Sequence, residues 1–226
     1  MSLKIVYEDD NIIICHKPAG QASQSDRTFE RDLLSEVMTY RTTRKESPEV
    51  HIINRLDKPV EGLVLFAKNQ KTARKLSAMS GEHSIEKKYY AVICGELCGN
   101  GEFKDYLIKE SRENYSKVVS KDVAGAKKAS LSYSVLDHRV VDGRTYSLVE
   151  VCLHTGRHHQ IRVQFSSRGL PLYGDVKYNP EYGDRRDVTP GLFAYSLSFN
   201  NPWGVDRIKV EIQPQGNIWE FEYFNR

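Results

Sequence analysis

Short apolar runs alternate with charged stretches along this chain, and the runs have the length of strands. Ile12, Ile13, Ile14 and Cys15 form a run closed by Lys17-Pro18-Ala19-Gly20, which predicts a buried strand. Gly62 to Ala67 (GLVLFA) and Tyr89 to Cys94 (YYAVIC) predict two more. From 129 to 136, Leu131, Tyr133 and Val135 alternate with Ser130, Ser132 and Ser134, the period of a strand. Tyr146 to Leu153 predicts a further strand, and Asp142-Gly143 before it is a hairpin signal. Three segments carry helical spacing instead. Residues 29–40 place Leu33, Leu34, Val37 and Met38 together, and residues 69–79 place Ala73, Leu76 and Met79 on one face with Gly81 as the stop. Residues 158–168 put Ile161 and Phe165 on one side before Gly169. No regular strand–helix–strand rhythm is present. The pattern predicts an α+β fold on a mixed, largely antiparallel sheet with flanking helices, rather than a doubly wound one.

Composition narrows the class. The chain has 226 residues, 39% of them hydrophobic and 28% charged, which suits one generous domain and excludes global disorder. No stretch approaches the roughly 18 apolar residues of a membrane span, and the N-terminus lacks the apolar core of a signal peptide. Cys15, Cys94, Cys98 and Cys152 suggest no disulfide framework, so a cytoplasmic protein with reduced thiols is expected. Cys94 and Cys98 with His154, His158 and His159 have poor spacing for zinc, C-x3-C without a second pair, and no metal is expected. Phosphate loops, dinucleotide fingerprints and the nucleophile elbow are missing. The net charge of +3 is too small to announce a nucleic-acid partner.

Three charged segments stand out against this background. Asn54-Arg55-Leu56-Asp57-Lys58-Pro59 sets a carboxylate among cations, between an apolar pair and a strand. Such a carboxylate suits a nucleophile or base, although on spacing alone a loop ion pair between Arg55 and Asp57 is the favoured reading. His154 to Val163 carries Arg157 and Arg162 across a strand-to-helix turn, where arginines suit phosphate or a solvated surface. Glu86-Lys87-Lys88-Tyr89-Tyr90 leads into a strand whose alternation turns one tyrosine inward and leaves the other ring available to an unstacked base.

Together the segments NRLDKPVEGL at 54–63, KKYYA at 87–91 and HTGRHHQIRVQ at 154–164 resemble the RluA family of RNA pseudouridine synthases. VYEDDN and HKPAG near the start, LPLYGD at 170–175 and AYSLSF at 194–199 extend the resemblance in order over almost the whole chain. It implies a pseudouridine synthase fold covering 1–226 as one catalytic domain, without the S4 RNA-binding domain that often precedes it. It also implies isomerisation of uridine in ribosomal or transfer RNA by a monomer, without metal or cofactor. By the same resemblance Asp57 is the catalytic aspartate, Arg162 the cation that pairs with it and Tyr89 the ring that stacks on the target base. Arg55 fills the gap that the flipped base leaves, and Arg157, Lys87 and Leu172 contact substrate. Whether the aspartate attacks the base, attacks the sugar or removes a proton stays open at this level.

The chain departs from the family where Asn54 replaces the usual His and where Val60-Glu61 replaces a common Thr-Ser pair. These departures bear on loop shape and RNA contacts, and Glu61 is an unusual neighbour for a polyanion. Two other classes fit the sequence less well. A non-catalytic RNA-binding or chaperone protein on the same fold conflicts with the presence of all four site residues, and a glycoside hydrolase lacks a second acid near Asp57. Charge also varies along the chain. Residues 68–88 hold six lysines and arginines against two glutamates, while acids collect at Glu8-Asp9-Asp10 and at Glu220 and Glu222. A basic cleft around Asp57 and an acidic back are the expectation.

Overall fold

The computed structural model describes residues 3–25, 31–183, 185 and 187–225. In chain order the strands are β1 (Lys4–Glu8), β2 (Ile12–Lys17), β3 (His51–Ile52), β4 (Glu61–Ala67), β5 (Glu86–Cys94), β6 (Asn100–Glu110), β7 (Tyr115–Val119), β8 (Lys127–Val141), β9 (Arg144–Leu153), β10 (Leu192–Asn200) and β11 (Arg207–Glu211). The helices are α1 (Leu33–Thr43), α2 (Gln70–Gly81) and α3 (Gln160–Ser166), and short 3-10 turns follow α3. The fold is α+β, as the pattern predicts. The chain divides into two compact units, one from residues 1–86 and 194–212 and the other from 87–193 and 213–226. Among the described residues no helix is long and apolar enough to cross a membrane.

In the first unit the strand order is β1-β2-β4-β10, with β3 pairing β4 and β11 pairing β10. The two all-apolar runs lie side by side, antiparallel, with Ile12 opposite Ala67 and Lys17 opposite Gly62. Their side chains are buried on both faces, which is why these runs lack a two-residue alternation. Ile12, Ile14, Leu63, Leu65, Ala73, Leu76, Leu197 and Phe199 share one core. Residues 29 and 30 of the expected first helix lie outside the described residues, and α1 starts at Leu33 because Asp32 caps it by accepting from Ser35 N. Asn69 caps α2 in the same way through Thr72 N. Gly81 is the last residue of α2 rather than its stop, and the left-handed position falls to His83 at φ 59°.

In the second unit the order is β5-β9-β8-β6-β7, and the β5–β9, β9–β8, β8–β6 and β6–β7 pairings are antiparallel. Asp142 and Gly143, both at positive φ, close the β8–β9 hairpin with Val141 opposite Arg144. α3 is shorter than its spacing predicts, since His159 takes the left-handed conformation at φ 54° and holds the N-terminus back. Residues 100–128, to which the sequence pattern assigns no element, contain β6 and β7. The alternation of β6 is hidden because Asp105 sits between Phe103 and Leu107 on their face. Its carboxylate receives Gln164 (2.6 Å) and Arg168 (3.0 Å), while Phe103 meets the Phe165 ring at 5.0 Å. A polar residue on an inward face reads as a surface position until its partners are known.

Gly62 makes the tightest backbone approach in the first unit. It has φ +135°, and a Cβ there would lie 2.3 Å from the Ala194 carbonyl oxygen. Gly62→Ala is therefore expected to destabilise the protein by about 3 kcal/mol, from overpacking against an immovable backbone together with a disfavoured φ. Urea unfolding of the two proteins measures it, and a loss under about 1 kcal/mol would contradict the close approach.

Candidate active site

The segment carrying Arg55 and Asp57 runs from β3 to β4 in the first unit and is anchored at each step. Ile53 N donates to Leu65 O (2.9 Å), and the Asn54 amide extends the pairing, accepting from Leu65 N (2.8 Å) and donating to Leu63 O (3.2 Å). Asn54 therefore acts as a side-chain continuation of β3. Buried Ser23 clamps Leu56 reciprocally: its Oγ donates to Leu56 O (2.8 Å) and accepts from Leu56 N (3.0 Å). Val60 N closes a turn on Asp57 O at 3.0 Å. Leu56 and Val60 point into the core, Arg55 is exposed and Asp57 is half-buried.

Beyond Asp57 the anchor is Lys17, which ends β2 with no solvent exposure. Its ammonium donates to three backbone carbonyls, Gln21 (2.7 Å), Pro18 (3.0 Å) and Lys58 (3.1 Å). Gly20 N also donates to Lys58 O at 2.9 Å. Burial pulls the Lys17 pKa down to about 8, while the charges of Asp57 and Glu61 pull it up. Asp57 thus sits between a residue held by Ser23 and one held by Lys17. Glu61, the departure from the family pattern, has a local partner, His16 Nε2 at 2.7 Å. The sequence reading quotes Lys17 without a role and misses Ser23. The only signal for Lys17 was a lysine closing a fully apolar run.

The other candidates belong to the second unit. Lys87 and Tyr89 share one face of β5, and Lys88 and Tyr90 the other. Tyr90 packs edge-on against Phe224 (5.0 Å) and Tyr223 (6.2 Å), and Lys88 pairs with Glu150 at 3.2 Å. The expectation that only one tyrosine is buried does not hold: Tyr89 is 6% exposed and Tyr90 4%. Residues 89–93 of β5 are buried without alternation, so both faces of that stretch are covered. Lys87 is half-buried, and burial lowers its pKa. Leu172 is fully buried and bridges Ile93 of β5.

Arg157 and Arg162 separate in character. Arg157 is exposed, its Nε donating to Lys128 O (2.8 Å), which holds its head group beside exposed lysines 127 and 128. Gln160 Oε1 accepts from Arg157 N (3.0 Å) and Thr155 Oγ1 (2.7 Å), fixing the turn before α3. Arg162 is 3% exposed. Its Nε and Nη2 donate to Asp175 Oδ2 (2.8 Å) and Oδ1 (2.7 Å), and Asp175 Oδ1 also accepts from Lys177 N and Tyr178 N. This two-point fork satisfies both buried charges and fixes the plane of the guanidinium. Arg162 also lies over the Tyr178 ring at 5.1 Å. Tyr178, whose pKa burial raises to about 12, keeps its phenol proton and pairs with His159 Nδ1 (2.8 Å) while accepting from Ser116 N (2.8 Å). Asp175 and Tyr178, neither assigned a role from sequence, hold the arginine.

The suggested zinc ligands are engaged elsewhere: His158 with Ser116 and Asn114, His154 with Ser132, and Cys94 with Asn179. Among the described residues no three His, Cys, Asp or Glu side chains gather to hold a metal ion.

Lys17→Met removes the ammonium from the Pro18 and Gln21 carbonyls and leaves Lys58 O with Gly20 N alone. An expected loss of about 3 kcal/mol in urea unfolding follows from the usual cost of unsatisfied buried acceptors. A variant as stable as the parent would show that the ammonium does not hold the Asp57 loop.

Residues 11–167 match the family described as RNA pseudouridylate synthase. A tRNA pseudouridine synthase C from Haemophilus ducreyi is 31% identical over 225 residues, covering 93% of this chain and 90% of that protein. A ribosomal large subunit pseudouridine synthase D from Neisseria meningitidis serogroup B is 30% identical over 230 residues, covering 97% of this chain but 60% of its relative. Several curated relatives are thus matched over only about three-fifths of their length. Human RNA Pseudouridylate Synthase Domain Containing 1 shares the fold, with a TM-score of 0.76 at 23% identity over 94% of this chain and 83% of that one. As its resemblance to the RluA group implied, the chain belongs to the RNA pseudouridylate synthase family.

Proposed function

We propose that this protein isomerises uridines within transfer or large-subunit ribosomal RNA to pseudouridine, with Asp57 as the catalytic carboxylate. The observation that carries the reading is the family match over 11–167, which contains the doubly anchored Asp57 loop. In the reaction the C1′–N1 bond breaks, the base turns, a C1′–C5 bond forms, and the C5 proton leaves while N1 gains one. A group that must meet one reacting centre needs a backbone held to within a fraction of an ångström. Ser23 and Lys17 supply that for Asp57.

Tyr89 is the stacking ring for the extruded base, and Arg162, aimed by Asp175, is the cation that favours an ionised catalytic carboxylate. Arg55, exposed beside Asp57, takes the place that the flipped base vacates. Lys87 and Arg157 contact the RNA backbone, and Leu172 forms apolar wall. The RNA class follows the names of the relatives, a transfer RNA enzyme and a ribosomal one. The reading takes the protein to act in the cytoplasm as a single-domain monomer without cofactor. Mapping pseudouridines in both RNA classes from cells with and without the gene identifies the substrate.

Asp57→Asn keeps the loop's shape and removes the charge. Tritium release from 5-tritiated uridine in RNA is expected to fall by at least roughly a thousandfold, with RNA affinity little changed. Undiminished release would remove Asp57 from the chemistry. For Tyr89 the ring matters more than the hydroxyl, so Tyr89→Phe is expected to keep about tenfold more activity than Tyr89→Ala. Equal losses would point to the phenol oxygen instead.

A further inference from the structure

α2 departs from the charge pattern that stabilises helices. α1 follows it, with Glu36 in the first turn and Arg41 in the last. α2 has no acid in its first turn and none along its length, and it carries Lys71, Arg74 and Lys75 in its first two turns, toward the positive end of its dipole. At spacings of three and four these side chains share one face. All three are exposed, while Thr72, Ala73 and Leu76 on the opposite side enter the core.

The basic stretch that the sequence predicts is narrower in the structure. Lys68 is taken by Glu8 (2.6 Å) and Lys88 by Glu150 (3.2 Å), leaving the α2 face as the exposed part. Among the described residues no ion pair or hydrogen bond engages the head groups of Lys71 and Arg74. Lys75 is held in place, donating to Pro202 O (3.2 Å) and lying over the Trp203 ring at 5.6 Å. The neighbouring acid Glu49 is turned to Gln70 N and His51. Local cost without local compensation marks a surface kept for a partner, and three clustered cations fit a polyanion.

We infer that the Lys71–Arg74–Lys75 face of α2 binds the phosphate backbone of the substrate RNA, through side chains other than those assigned to the target uridine. RNA as the ligand rests on the function proposed above. The face is sequence-indifferent: it adds affinity and positions the RNA without reading bases.

The test uses the full chain with K71Q/R74Q, a charge-matched control K4Q/K45Q at two other exposed lysines, and the stronger variant K71E/R74E. Binding of unmodified transfer RNA and of unmodified large-subunit ribosomal RNA is measured by filter retention across a salt series. For K71Q/R74Q the expected results are a roughly tenfold weaker Kd and a salt slope shallower by about 1.5. K71E/R74E weakens binding further, and in both variants kcat at saturating RNA is unchanged while KM rises. Unchanged affinity and slope in K71Q/R74Q, or an equal loss in K4Q/K45Q, overturns the inference. The function reading fails separately: if the parent protein releases no tritium yet K71Q/R74Q still weakens RNA binding relative to the control, the α2 surface stands and the catalytic assignment does not.

Discussion

A fully buried ammonium must find oxygen acceptors inside the protein or give up its charge. In the first unit that constraint falls on Lys17, whose three carbonyl partners all belong to turns: Pro18 and Gln21 after β2, and Lys58 after Asp57. A single side chain thereby ties two distant turns to one point beneath a core strand. The attraction of Asp57 and Glu61 for the same ammonium adds to this geometry and opposes the loss of its proton. Without the lysine, the side after Asp57 would keep only the backbone bonds from Gly20 N to Lys58 O and from Val60 N to Asp57 O, beside the Ser23 clamp on Leu56.

The second unit solves a similar problem with an acid. Asp175 is completely buried, and its two oxygens accept the Arg162 fork and two backbone N–H groups. Gly174 precedes it at φ 64°, where a Cβ would strike the Thr189 carbonyl at 2.3 Å, so the turn that delivers Asp175 needs that glycine. The motif around 170–175 is therefore a support for the arginine in α3. Its place beside the arginine motif in the sequence has a mechanical reason.

Strands buried on both faces were legible in the sequence because nothing interrupts their apolar runs, and the Asp142-Gly143 turn because few other pairs accept its backbone. The candidate residues were legible through the resemblance, since charge spacing alone left Asp57 indistinguishable from a loop ion pair. What stayed hidden depends on contacts between distant residues. Asp105 interrupts the β6 pattern for the sake of Gln164 and Arg168, and His159 shortens α3 by adopting a left-handed conformation. Tyr89 is buried because both faces of its strand are covered. The way in which Asn54, in place of the family histidine, bears on loop shape was also hidden: its amide extends β3 by pairing with Leu63 O and Leu65 N of β4.

The burial of the Arg162–Asp175 pair has a consequence for how the protein meets its ionic surroundings. Counterions screen charges that face solvent over about 10 Å at 0.1 M salt, but they do not enter a site that excludes water. The exposed Lys71, Arg74 and Arg157 therefore sense the medium, while the direction in which Arg162 points does not. Salt then acts on the exposed cations and leaves the alignment of this arginine as the fold made it.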